Sequence, residues 1–123
     1  MVAALPPPKP AAIVRAWSAA LNADDNAAAA KLFAPNALVV QVSLGVRLTS
    51  PQLALAFNAS LPCAGRIVQV TTRGDRATAV FVLGHRPRHA CDGPGQKAAA
   101  LFVVRNGLIT LWEQVPVPQK PTA

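Results

Sequence analysis

Two tight turns in the second half of the chain constrain its fold more than any other feature. Gly74-Asp75 and Asn106-Gly107 each separate two apolar runs rich in β-branched residues. Both pairs are typical of two-residue β-hairpin turns, because their residues tolerate positive φ angles. The sequence therefore predicts two successive hairpins. Their strands are residues 66–73, 76–83, 98–105 and 108–115.

Side-chain alternation along these strands predicts two apolar faces instead of one apolar and one polar face. One predicted face carries Ile67, Gln69, Thr71, Thr78, Val80, Val82, Arg86, Leu101, Val103, Thr110, Trp112 and Gln114. The other carries Val68, Val70, Ala79, Phe81, Leu83, Phe102, Val104, Ile109, Leu111 and Glu113. Each face therefore requires a cover.

The first half of the chain predicts helices that could cover one face. Apolar residues recur at helical spacing from Ala11, and this stripe consists of Ile13, Val14, Trp17 and Leu21. Trp17 favours core packing, although contact with a ligand is compatible with the same position. Asp24 is the predicted cap of a second helix, over residues 27–33.

A third helix is predicted to begin at Ser50-Pro51, a cap followed by a first-turn proline, and to end near Pro62. Its predicted apolar face consists of Leu53, Phe57 and Leu61. Residues 37–42 and 44–48 are predicted to be strands.

Chain length predicts one domain, because 123 residues can enclose a single core. We assign residues 1–10 to a flexible proline-rich arm, 11–116 to the domain and 117–123 to a tail. No apolar stretch is long enough to span a bilayer. The first ten residues lack the pattern of a secretory signal, so a cytoplasmic location is predicted.

The formal charge of +7 raises the question of nucleic-acid binding. Its eight arginines are scattered, without a basic helix, interleaved aromatic residues or a nucleic-acid-binding motif. We therefore predict neither a nucleic-acid partner nor a membrane partner.

The order of helix, helix, strand, helix and four-stranded meander resembles the SnoaL-like branch of the nuclear transport factor 2 superfamily. The resemblance covers about residues 10–115 and rests on Ala20-Leu21-Asn22-Ala23-Asp24, on residues 29–34, and on residues 102–109 leading into Trp112. It implies an α+β, cystatin-like fold. In that fold a curved, mostly antiparallel sheet wraps around three helices to form a cone with an internal pocket.

The last strands look most like those of limonene-epoxide hydrolase relatives, but the catalytic pattern of those enzymes is not kept. Their tyrosine and asparagine correspond to Val39 and Gln41, and Arg88 stands where the acid of their Arg-x-Asp is expected. Gln114 replaces the aspartate of their last strand. An amide cannot transfer protons near neutral pH, so epoxide hydrolysis by that mechanism is not expected. Steroid isomerases and polyketide cyclases of the superfamily also need a carboxylate inside the cone, whereas the four aspartates here are predicted caps or turns.

These residues predict a pocket for a small, mostly apolar metabolite, with an anionic end opposite Arg86 and with no cofactor. The predicted lining is Trp17, Phe33, Val39, Gln41, Gln69, Val80, Arg86, Leu101, Trp112 and Gln114. Two alternatives stay open. One is a structural dimeric module with a filled cone. The other is a hydrolase or isomerase that uses Glu113 or another group, and the use of Glu113 requires the face assignment to be reversed.

The cysteines and histidines allow further interpretations. His85, His89 and Cys91 do not have the spacing of a zinc site, so no metal is predicted. A disulfide between Cys63 and Cys91 is compatible with the hairpin register, whereas a reducing cytoplasm favours two free thiols.

The face opposite the predicted pocket would leave a large apolar patch uncovered on a monomer. Relatives of this kind commonly dimerise through the back of the sheet. We therefore predict a homodimer through the face that carries Phe81, Phe102, Ile109 and Leu111.

Overall fold

The computed structural model describes residues 6–119 as three helices and six strands. Residues 1–5 of the predicted arm and 120–123 of the predicted tail lie outside this range. The helices are α1 (Pro10–Asn22), α2 (Asn26–Ala30) and α3 (Pro51–Ser60). The strands are β1 (Phe33–Gln41), β2 (Leu44–Leu48), β3 (Cys63–Arg73), β4 (Arg76–His85), β5 (Lys97–Arg105) and β6 (Leu108–Val115). The predicted α+β architecture is confirmed.

The strands form one curved, mixed sheet in the order β2-β1-β6-β5-β4-β3. β1 and β6 are parallel, and the other neighbouring strands are antiparallel. Helix α1 packs across β3, β4 and β5. We call the sheet face beneath this helix the inner face and the opposite face the outer face.

The helix ends follow from local chemistry. In α1, Pro10 occupies the first turn, where its missing N–H costs nothing. Ser50 caps α3 by accepting a hydrogen bond from the Leu53 N–H at 3.2 Å. Phe57 in this helix and Leu61 just after it are buried as predicted, whereas Leu53 is exposed.

The predicted cap of α2 was one residue too early. Asp25, not Asp24, accepts the Ala28 N–H at 3.0 Å. Asp24 has a left-handed backbone conformation, with φ 57°, and its carboxylate binds Arg86 instead. The helix ends at Ala30, so that Phe33 begins β1 and is not part of the helix as predicted.

Both hairpin turns lie where they were predicted, but each hairpin contains one bulge that shifts the register beyond it. In β3, Gln69 opposes Val80 as expected, and Ile67 then opposes Phe81 instead of Val82. Val68 is the extra residue. Ile67 consequently shares the inner face with Phe81.

The second bulge lies at Thr110 in β6, between the pairs Val104–Ile109 and Val103–Leu111. The Thr110 hydroxyl donates to the Val103 carbonyl at 3.2 Å, which gives the extra residue a local hydrogen bond. Beyond the bulge Trp112 opposes Phe102, and Leu101 opposes Glu113 instead of Trp112. Trp112 therefore joins the inner face with Phe102.

The structure shows that three of the four residues of the predicted dimer face do not lie on the outer face. Phe81, Phe102 and Ile109 are buried within the chain's own core, and the Trp17 ring lies 5.4 Å from the Phe102 ring and 6.0 Å from the Phe81 ring. Only Leu111 of the predicted set lies on the outer face. The residues that face outward near it are Leu38, Val40, Val80, Leu101, Val103 and Glu113.

Among residues 6–119, no helix is long and apolar enough to cross a membrane.

Candidate functional site

A cavity of about 330 Å³ lies between α1 and the inner face of the sheet. Its floor includes small residues of β5, and its walls come from α1, the end of α3 and the beginning of β3. Ala100, which is 3% exposed, contributes only a methyl group, and Gly65 contributes no side chain. The space is therefore open because these positions are small. The alternative of a structural module with a filled cone stays a prediction.

Aromatic rings bound the interior of the cavity. Trp17, Phe81 and Trp112 all line it, and the Trp17 ring lies 6.0 Å from the Trp112 ring. The Trp17 Nε1 donates to Asn58 Oδ1 at 2.9 Å, and the Asn58 Nδ2 donates to the Ala54 carbonyl at 2.8 Å. This bond anchors the polar edge of Trp17 in the core while another part of the ring faces the cavity. Trp17 is therefore a core residue, as the sequence favoured, and its contact with a ligand stays a prediction.

The structure brings four of the ten predicted lining residues together. Trp17, Gln41, Trp112 and Gln114 line the cavity. Phe33 and Val39 belong to the hydrophobic core but are not among the lining residues. Gln69, Val80 and Leu101 lie on the outer face. They had been grouped with Trp112 and Gln114, but the bulge in β6 places those two residues on the inner face.

Arg86, the tenth residue, is a buried structural cation. Its side chain is 0% exposed and does not line the cavity. Its Nε donates to Asp24 Oδ1 at 3.0 Å, and its Nη1 donates to the carbonyls of Asn58 and Leu61 at 2.7 and 3.0 Å. Its Nη2 donates to Asn26 Oδ1. The guanidinium thus joins the α1–α2 junction to the end of α3, and it is not placed to bind an anionic ligand in the cavity.

Glu113 lies on the outer face, whereas its neighbour in the chain, Trp112, lies on the inner face. It opposes Leu101 on β5 and lies beside Val40 on β1. The catalytic alternative that uses Glu113 required this carboxylate inside the cone. The structure places it on the other side of the sheet.

Cys63 and Cys91 form a disulfide, with their Cα atoms 4.5 Å apart. The bond joins the beginning of β3 to the β4–β5 loop, residues 86–96. The loop is held further by the Cys91 N–H, which donates to His85 Nδ1 at 2.8 Å. The sequence left the disulfide and the free thiols as alternatives, and the structure contains the disulfide. With the two sulfurs bonded to each other, neither is a thiolate that could bind a metal.

Asp92 is the functional candidate that sequence reasoning missed. It follows Cys91 directly and lines the cavity, with Oδ1 3.4 Å from Cys63 Sγ. The sequence predicted that every aspartate would be a cap or turn residue. The only available signal was its position next to Cys91, and using it required knowledge of the bond between Cys91 and the lining residue Cys63.

The indole nitrogen of Trp112 is buried without a hydrogen-bond acceptor among the described residues. A buried donor left without a partner costs on the order of 1–3 kcal/mol. Buried groups of this kind call for a structural or functional explanation. The Trp112 ring also contacts the Phe57 ring edge-on at 5.2 Å.

Solved structures with the same architecture come from several bacteria. An NTF2-like protein from Cytophaga hutchinsonii aligns with a TM-score of 0.71 at 14% identity, covering 94% of this chain and 93% of that chain. A proposed polyketide cyclase from Sinorhizobium meliloti aligns with a TM-score of 0.67 at 21% identity, covering 85% and 94%. A cystatin-fold protein from Novosphingobium aromaticivorans aligns with a TM-score of 0.69 at 13% identity, covering 89% and 99%.

No family model and no curated protein matches the sequence. The structural likenesses therefore establish the fold, and the resemblance to limonene-epoxide hydrolases stays a prediction. The chain has a cystatin-like α+β fold, as its sequence predicted, and it shares this fold with the NTF2-like and cystatin-fold structures named above.

Proposed function

We propose that the chain binds a small, mostly apolar molecule in the cavity beneath α1, without acid-base catalysis by the aspartates of the limonene-epoxide hydrolase pattern, which this sequence does not keep. The observation that carries this proposal is the chamber itself, about 330 Å³ bounded by two tryptophans and a phenylalanine. Ser18, Gln41 and Gln114 supply polar groups at its wall. A mostly apolar lining with a few hydrogen-bonding groups is typical of small-molecule sites.

The buried N–H of Trp112 supports the same proposal. A ligand carbonyl or hydroxyl would give this donor the acceptor that it lacks among the described residues. Because the nitrogen is covered by neighbouring side chains, the ligand would reach it only after a small shift of those side chains. The side-chain amides of Gln114 and Gln41 can donate hydrogen bonds to a ligand carbonyl or hydroxyl oxygen without such a shift.

Filling the cavity tests the proposal. Ala100→Leu adds three carbons to the floor of the cavity, so we expect it to reduce the affinity for 3-phenylpropan-1-ol at least tenfold. The two tryptophans of the chain both line the cavity, so their fluorescence reports its occupancy directly. The unmodified protein should bind this probe with a dissociation constant on the order of 1 mM or tighter.

Ala12→Leu is the matched control, because Ala12 is exposed on α1 and does not line the cavity. It makes the same chemical change and should leave the affinity unchanged. Equal affinity in Ala100→Leu and in the unmodified protein would contradict the proposed site.

We also propose that the outer face forms a homodimer. Its centre is apolar, and Glu113 lies within it without an ion-pair partner among residues 6–119. Arg66 and Lys97 lie on the same face, since both oppose Val82. Two copies related by a two-fold axis could bury the apolar centre and bring opposite charges together.

Sedimentation velocity tests the dimer. We expect the unmodified chain to sediment at twice 12.8 kDa at micromolar concentration. Leu111→Lys places a charge in the apolar centre and should weaken association at least tenfold. Val42→Lys, at a position that is 90% exposed in the β1–β2 turn, should not. A monomer for the unmodified chain would exclude this interface.

The cytoplasmic location predicted from the sequence stays a prediction. The disulfide instead supports the proposal that the chain is located in an oxidising compartment, because disulfide bonds persist mainly there.

A further inference from the structure

The lining of the cavity has a single formal charge. Among its seventeen lining residues, Asp92 is the only one with an ionisable side chain that is not locked in the disulfide. The other polar side chains are the hydroxyl of Ser18 and the amides of Gln41 and Gln114. A carboxylate therefore stands at a site that otherwise offers only neutral groups.

No arginine or lysine is among the described residues that line this cavity, although Arg15 and Arg66 line an adjoining pocket that shares Ser18 and Gly65 with it. Arg86, which the sequence placed opposite an anionic ligand, has its donors committed to Asp24, Asn26 and the end of α3. Arg66 and Lys97 precede lining segments but face outward, because they oppose Val82 across the sheet. The lining therefore carries one negative formal charge, although the chain carries +7 overall.

The charge of Asp92 affects a ligand in the cavity more than the net charge of the chain does, because salt screens distant charges. At 0.15 M ionic strength, exposed charges are screened over about 8 Å, so scattered arginines contribute little at the cavity. A charge about 4 Å from an exposed carboxylate changes a binding constant by about fivefold in water, and by more where solvent is partly excluded. Trp17, Phe81 and Trp112 also line the cavity, and an aromatic ring attracts a cation that lies over its face.

We propose that the cavity selects molecules with an apolar body and a cationic amine, with Asp92 as the group that binds the ammonium at the mouth. This inference rests on the proposed function and names the ligand class for the same site. It reverses the anionic ligand that the sequence predicted. A carboxylate-bearing ligand would meet Asp92 with no base in the lining to offset the repulsion.

Three probes of one shape test this selectivity: 3-phenylpropan-1-amine, 3-phenylpropan-1-ol and 3-phenylpropanoate. We expect the amine to bind about fivefold more tightly than the alcohol, and the carboxylate about fivefold less tightly. Titrations would follow tryptophan fluorescence at low and at physiological salt. The preference for the amine should decrease as salt is added.

Asp92→Asn removes the charge and keeps the shape, so it should bring the three affinities to within about twofold of one another. Asp75→Asn is the control, since Asp75 lies at the other end of the β3–β4 hairpin and pairs with Arg105. It should leave the ratio unchanged. A preference that persists in Asp92→Asn overturns the inference.

Other outcomes separate the two proposals. Equal binding of all three probes to the unmodified protein would overturn the charge selectivity and leave the binding cavity in place. No saturable binding of any probe would overturn both.

Discussion

Replacing Arg86 with methionine should lower the free energy of unfolding by about 3–5 kcal/mol, the largest effect that we expect from one substitution. Methionine keeps much of the side-chain length but makes none of the four hydrogen bonds. Asp24, Asn26 and the carbonyls of Asn58 and Leu61 would then be left without their donor. Urea denaturation followed by circular dichroism measures the difference.

Arg105→Met is the matched control for this prediction. Arg105 also donates from Nε to an aspartate oxygen at 3.0 Å, but its side chain is 68% exposed. Solvent screening limits such a pair to about 0–1 kcal/mol. Arg86→Lys should recover only part of the loss, because an ammonium cannot reach four acceptors arranged around a planar guanidinium. Equal stability of Arg86→Met and Arg105→Met would contradict the structural role of Arg86.

Removing the disulfide should be nearly as costly. The bond closes a loop of sequence separation 28, for which the chain-entropy model gives about 3–4 kcal/mol. In a chain of this size we expect the Tm of Cys63→Ser/Cys91→Ser to fall by roughly 10–15 °C. Thermal unfolding by calorimetry, with the unmodified oxidised protein as reference, measures the shift.

Reductant supplies the control for the disulfide. A dithiol should lower the Tm of the unmodified protein toward that of the double serine variant and should leave the variant unchanged. Free-thiol titration of the unfolded, unreduced protein should find no thiol. Two titratable thiols, together with a Tm that does not respond to reductant, would contradict the bond.

The parts of the fold that could be predicted are those specified by short stretches of sequence. Asn106-Gly107 determines its turn because both residues accept positive φ, with values of 53° and 76°. Gly107 also lies against Pro8, whose Cδ is 2.9 Å from the position that a Cβ would occupy. Ser50-Pro51 likewise determines the start of α3. Each of these signals involves only neighbouring residues.

The side-chain faces could not be predicted, because each bulge inserts a residue that no local signal marks. Val68 and Thr110 look like ordinary strand residues in sequence. One inserted residue reverses every later side chain, so Trp112 and Leu101, expected on the same face, lie on opposite faces. The bulges formed because Trp112 and Ile67 gain burial against the core that the alternative register would deny them.

The candidate site depended on contacts between distant parts of the chain. Four residues named from the sequence, Trp17, Gln41, Trp112 and Gln114, line the cavity. The sequence could not show that Arg86 binds Asp24, which is 62 positions away. Asp92 was missed for the same reason. Its position follows from a bond between Cys63 and Cys91 that sequence spacing only allowed.

The bulge in β3 has a second consequence, for the ends of the sheet. The sheet is open, and its edges are β2, with five residues, and β3, with eleven. A long, regular edge strand offers unpaired backbone groups to which a strand of another molecule can add, and this is a common route to aggregation. Val68 interrupts that regularity within β3. The same inserted residue that turns Ile67 into the core therefore also makes the longer open edge a poor template for intermolecular strand pairing.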